Sequence, residues 1–97
     1  DDDGPIFPVG DVDPRLPVQE FVVGVITPAG DPVAFPADAA RESLAVGEPV
    51  SAAGIELRPD GGGLRAVEIE TGESVSSHEA FWFAWSQFHP DTALWTP

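Results

Sequence analysis

Ninety-seven residues suit one domain with a single modest core, and a 42% hydrophobic share is too high for a disordered tail. Seventeen acids face four bases, all arginine (Arg15, Arg41, Arg58, Arg65), for a formal net charge of −13. That balance offers no basic patch for nucleic acid or for an anionic membrane surface. The absence of cysteine excludes disulfides, thiolate catalysis and Cys-based metal centres.

Taken in chain order, residues 1–20 read as an extended lead-in. Pro5, Pro8, Pro14 and Pro17 remove backbone donors there, and Ile6, Phe7 and Leu16 are its anchors. Phe21 to Thr27 is the clearest strand, β-branched and almost wholly apolar, so both its faces should be covered. Gly24 within it implies close approach by another backbone. The apolar run Phe21 to Ile26 is far shorter than the roughly 18 residues of a membrane-spanning helix. Pro28 to Asp31 turns the chain, and Pro32 to Phe35 returns as a partner strand.

Pro36 then opens a helix running to about residue 46, with Ala37, Ala40, Arg41 and Leu44 on one side and Gly47 beyond its end. Pro49 to Ala52 and Gly54 to Arg58 follow as strands, Ile55 and Leu57 facing opposite to Glu56 and Arg58. Pro59 to Gly63 forms a hairpin loop, and Leu64 to Glu70 answers with Val67 and Ile69 inward. After a turn at Thr71-Gly72-Glu73, Ser76 and Glu79 have capping-box spacing ahead of an apolar run. This predicts a helix over 77–88, with Phe81, Trp85 and Phe88 on a core face and Pro90 as its stop. A strand is the rival, because Phe81, Phe83 and Trp85 also alternate. The expected class is α+β: mainly short antiparallel strands, two short helices (about 36–46 and 77–88), and one β-rich domain over 21–97.

Several motifs fall in one order: Phe7-Pro8-Val9, Arg15-Leu16-Pro17, Val22-Val23-Gly24-Val25, Ala34-Phe35-Pro36, Phe81-Trp82-Phe83-Ala84-Trp85 and His89-Pro90-Asp91-Thr92. As an ordered set they resemble the C-terminal portion of a bacterial and archaeal family catalogued as a domain of unknown function, number 3179. The likeness covers nearly the whole chain. It implies a longer parent protein with a similar upstream half, and an export or lipoprotein signal that places it outside the cytoplasm or at the cell surface. It carries no catalytic roles with it. Phe35 stands where that family commonly has Tyr.

Four side chains invite a metal-ion reading: His78, Glu79, His89 and Asp91. On a continuous helix the histidines would lie about 16 Å apart, so one ion spans them only if the chain folds back. The competing assignment makes His89 a partner for the last helical carbonyls, with Asp91 and Thr92 capping the turn after Pro90. Asp1-Asp2-Asp3, Asp11 and Asp13 lack calcium-loop spacing, and Gly61-Gly62-Gly63 precedes no Lys-Ser/Thr. None of the six serines sits in a nucleophile elbow. The residues therefore point to no enzyme and to no resident cofactor.

A helix aromatic all round needs cover from more than one side, so Trp82, Phe83 and Trp95 are the expected interface. The acidic, lysine-free composition matches proteins of salt-loving organisms. The expected function is a non-catalytic structural or interaction domain. Its partner would be the remainder of its parent protein or another chain, at a halophile's cell surface. The alternatives are a metal or small-molecule site shared with an N-terminal half, and a subunit of an extracellular assembly.

Overall fold

The computed structural model describes residues 14–17 and 19–97. Most of the lead-in, including the anchors Ile6 and Phe7 and the acids Asp1 to Asp13, lies outside them. Leu16 is described, and it packs beside Trp82 and Trp85. The fold is α+β and mainly β: among the described residues there are eight strands and two helices, with the strands in two largely antiparallel sheets.

Strand β1 (Phe21–Ile26) and strand β2 (Pro32–Pro36) form the expected hairpin. Its turn is closed by Gly30 N–H donating to Thr27 O at 2.8 Å and by Asp31 N–H donating to the Thr27 hydroxyl at 3.0 Å. Helix α1 (Ala37–Ala45) follows directly, with Pro36 as the residue before its first turn, and it buries Ala37, Ala40 and Ser43. Strands β3 (Val50–Ala52), β4 (Ile55–Asp60), β5 (Gly63–Glu68) and β6 (Ser74–Val75) make the second sheet in that order. Strand β7 (Ser77–Phe81) returns to β1, helix α2 (Trp82–Phe88) crosses over, and β8 (Ala93–Leu94) runs parallel to β2. The first sheet is therefore ordered β7-β1-β2-β8.

That first sheet is covered on both faces, as the unbroken apolar run of β1 requires. Alternate residues go opposite ways. Val23, Val25, Val33 and Phe35 join Ala37 and Ala40 of α1 and Val50, Ile55, Leu57 and Ala66 of the second sheet in one core. Val22 and Ala34, on the other face, meet Trp82 and Trp85 of α2. Gly24 lies on that second face. The neighbour that demands a glycine is an indole rather than a backbone: a Cβ there would overlap Cζ3 and Cε3 of Trp85.

Two sequence expectations are corrected. The second helix begins at Trp82, not near Ser77, because Ser77–Phe81 pairs residue for residue with β1 from Val25 back to Phe21. Backbone pairing with an otherwise open strand outweighs a local cap signal. The Ser76–Glu79 capping box does not form, and α2 starts after the extended residue Phe81 without a side-chain cap. In β5 the inward expectation holds for Val67, which is buried, and fails for Ile69, which lies beyond the strand and is exposed. Gly61 and Gly62 form the whole turn, so Asp60 opposes Gly63 and Leu57 opposes Ala66. Leu64 and Ala66 thus pack with the main core as well, and both faces of β5 are buried at Ala66-Val67. Turn length sets the register that brings Ala66 opposite Leu57.

Candidate interaction surface

The strand–helix break at Phe81 redistributes the aromatic rings. Trp82, expected at an interface, is fully buried (0% exposed) within the chain's own second core, with the Arg15 guanidinium 5.3 Å above its ring. Trp95 is half-buried against Phe35, with centroids 6.3 Å apart, and its backbone N–H donates to Ala34 O at 2.9 Å. Phe83 is half-buried. Phe81 and Phe88, expected in the core with Trp85, are instead 49% and 81% exposed. Only Trp85 of that trio is buried. The reason is positional: Phe81 belongs to the strand, and Phe88 ends a helix of seven residues whose buried face is Trp82, Trp85 and Ser86.

Phe81 is not solitary. It opposes Phe21 in the β1–β7 register, and the two rings stack at 4.4 Å with an interplanar angle of 17°. Phe21 is itself 50% exposed, so the pair forms an apolar step at the end of the sheet. Trp82 N–H donates to Glu20 O at 2.7 Å and extends the same ladder by one pair. Hydrogen-bonded pairs alternate with non-bonded pairs along an antiparallel ladder. Phe21–Phe81, Val23–Glu79 and Val25–Ser77 are then the non-bonded pairs, whose side chains approach most closely. The backbone groups of Ser77, Glu79 and Phe81 consequently point away from β1, and among the described residues no strand pairs with that side. On the face toward α1, the Glu79 carboxylate accepts from Arg41 at 3.2 Å.

The proposed metal ligands are partly gathered. His78 opposes Gly24, so its side chain shares the face on which the Trp85 ring lies. The His89 ring tilts against that same indole at 4.3 Å. Strand followed by helix is the fold-back that a continuous helix precludes. Asp91 is exposed beyond the helix, and Glu79 faces the opposite side of the sheet. Among the described residues, no three His, Asp or Glu side chains converge. His89 closes the helix through its backbone: its N–H donates to Trp85 O at 2.9 Å and its carbonyl accepts from Thr92 N–H at 3.0 Å. Thr92, buried, takes the Trp85 Nε1–H at 2.9 Å and donates to Ala93 O at 3.0 Å.

At the turn end of the molecule, an open cleft of about 520 Å³ lies among residues that include Thr27, Pro28, Asp31, Ile55, Glu68 and Glu70. One of its carboxylates is already engaged, since Glu68 accepts from the Thr71 hydroxyl at 2.9 Å. None of the sequence candidates lines it. The surface that sequence reasoning missed is the Phe21–Phe81 step; the alternation of Phe81, Phe83 and Trp85 does not mark it, because Phe83 and Trp85 lie in α2.

No helix among the described residues is long and apolar enough to cross a membrane. Comparison with known proteins returned no matching family model, no matching curated protein and no matching solved structure.

Proposed function

We propose that this chain is a non-catalytic interaction domain. It packs on the remainder of a larger parent protein or on a partner chain, at the cell surface of a halophile. The carrying observation is the exposure of the stacked Phe21–Phe81 pair, and separately of Phe88 at the end of α2, while the other large rings among the described residues are at least partly buried. Exposed phenylalanines in a domain this small are costly to keep in water unless another surface covers them. The resemblance of the ordered motifs to the family of unknown function suggests the parent-protein and cell-surface parts of the reading. The charge of −13 supplies the halophilic part.

The test places a photo-crosslinking phenylalanine analogue at position 81 or 88, in the native host at its own salt concentration. Val46, an exposed apolar residue after α1, serves as the control position. Positions 81 and 88 should each give an adduct of one discrete mass, and position 46 should give none. In the isolated chain, Phe88→Ser should shift stability by less than about 0.5 kcal/mol, as for a surface site. Failure of both positions to yield an adduct, or a large loss of stability in Phe88→Ser, defeats the reading.

The fold-back of His78 and His89 about Trp85 favours a second reading, a metal site completed by ligands from elsewhere in the parent or partner. Titration with Zn²⁺ should then show one ion per chain, and His78→Ala and His89→Ala should each weaken it by about tenfold or more. Loss through one variant but not the other discards the shared site.

A further inference from the structure

We infer that the outer edge of β7 takes up an extended, basic segment of the partner as an additional strand. The inference rests on the interaction reading above and specifies its geometry and chemistry. Edge strands present unpaired N–H and C=O groups, and proteins ordinarily blunt them by shortness, proline, lysine or a bulge. Three of the four sheet edges here follow that practice: β3 has three residues, and β6 and β8 have two each. Strand β7 does not. It has five residues, Ser77-His78-Glu79-Ala80-Phe81, without proline or lysine, and it pairs along its whole length with β1.

The alternation of that ladder directs the N–H and C=O groups of Ser77 and Glu79 and the N–H of Phe81 outward, a spacing that an extended chain matches, while the Phe81 carbonyl opens helix α2. The Phe21–Phe81 stack stands at the end of this edge and gives an incoming apolar side chain a surface to cover. Backbone bonds and an adjoining apolar step together are the elements of strand addition.

Charge selects the occupant. A second copy of this chain would bring another −13 and set two Glu79 side chains near one another, which like-charge repulsion opposes. The one charged side chain on β7 besides its histidine is Glu79, whose Arg41 partner also serves Asp38 at 3.6 Å. A lysine or arginine on the incoming strand, opposite Glu79, meets a carboxylate in an acidic field and gains attraction and on-rate from both. The partner is therefore a polypeptide with an extended stretch of alternating β-branched and polar residues, bearing a cationic side chain.

Two blocked eight-residue peptides test this directly. Both alternate valine with threonine; one carries two lysines among the threonines and the other two glutamates. Amide hydrogen exchange of the chain is followed with each, at the lowest salt that keeps it folded. The lysine peptide should slow exchange at Ser77, Glu79 and Phe81, leave the β1-facing amides of His78 and Ala80 unchanged, and bind about tenfold tighter than the glutamate peptide.

Glu79→Pro removes one outward donor while sparing the ladder to β1, and should weaken the lysine peptide by about tenfold. Glu79→Gln keeps the donor and should narrow the preference for the lysine peptide, the remainder coming from the acidic field, so the edge is tested even if the proline variant unfolds. Binding with protection only elsewhere on the molecule overturns the edge assignment and leaves the interaction reading to its crosslinks. Binding of neither peptide overturns the edge assignment too.

Discussion

Trp85→Ala is expected to lower the unfolding free energy by about 3–5 kcal/mol, the range for deleting a large buried aromatic side chain. The indole is 6% exposed and packs with Trp82 against Val22 and Ala34, filling the space that Gly24 leaves open above β1. Its Nε1–H donates to the Thr92 hydroxyl at 2.9 Å, tying α2 to the segment that leads into β8. Trp85→Phe should retain much of the packing and lose that bond, for a cost of about 1–2 kcal/mol. The contact can also be attacked from the strand side. Gly24→Ala pushes a methyl into a rigid ring over a paired backbone and should cost about 1–3 kcal/mol or more. In the double variant the methyl enters vacated space, so the two losses should fall well short of adding. Urea unfolding in molar salt measures all four proteins. A near-neutral Trp85→Ala, or strict additivity, refutes the packing assigned to α2.

Removing salt is expected to have an effect of comparable size. Thirteen uncompensated negative charges on one small domain repel one another over a screening length of about 30 Å at 10 mM salt, and of about 3 Å at 1 M. The ion pairs seen offer little relief: Arg41 with Asp38 and Glu79, and Arg58 with Glu56, are largely exposed surface contacts. A domain of this size has a margin of only about 5–10 kcal/mol against which that repulsion acts. Circular dichroism should show the β signal lost as salt falls from about 1 M toward 10 mM, and regained when salt is restored. An unchanged urea midpoint across that range would rule out salt adaptation as the meaning of the charge.

Much of the fold was legible because it depends on local rules. The β1–β2 hairpin is written in a β-branched run, a Pro-Ala-Gly-Asp turn and a short apolar return, and it forms as read. Helix α1 starts after Pro36 and stops before Gly47, whose φ of 83° favours glycine. The double cover of β1 was likewise visible, because a strand apolar at nearly every position has no face to give to water. What local rules missed was a choice made by distant pairing. The segment from Ser76 to Glu79 has capping-box spacing and no strand alternation of its own, yet the open side of β1 draws Ser77–Phe81 into the sheet. That decision moves Phe81 to the surface, Trp82 to the core and His78 to the sheet face on which Trp85 and His89 lie.

By itself, the sequence determined the charge, the absence of thiol chemistry, the α+β class and the hairpins, since each follows from residue types or from neighbours a few positions apart. Tertiary structure alone decided where helix α2 begins, why position 24 is glycine, which of the described rings remain in water and which strand lies at the edge of the first sheet. Those outcomes depend on contacts between residues more than fifty positions apart, such as Gly24 with His78 and with Trp85, and pairing energy collected across the chain overrides the preferences of a short segment.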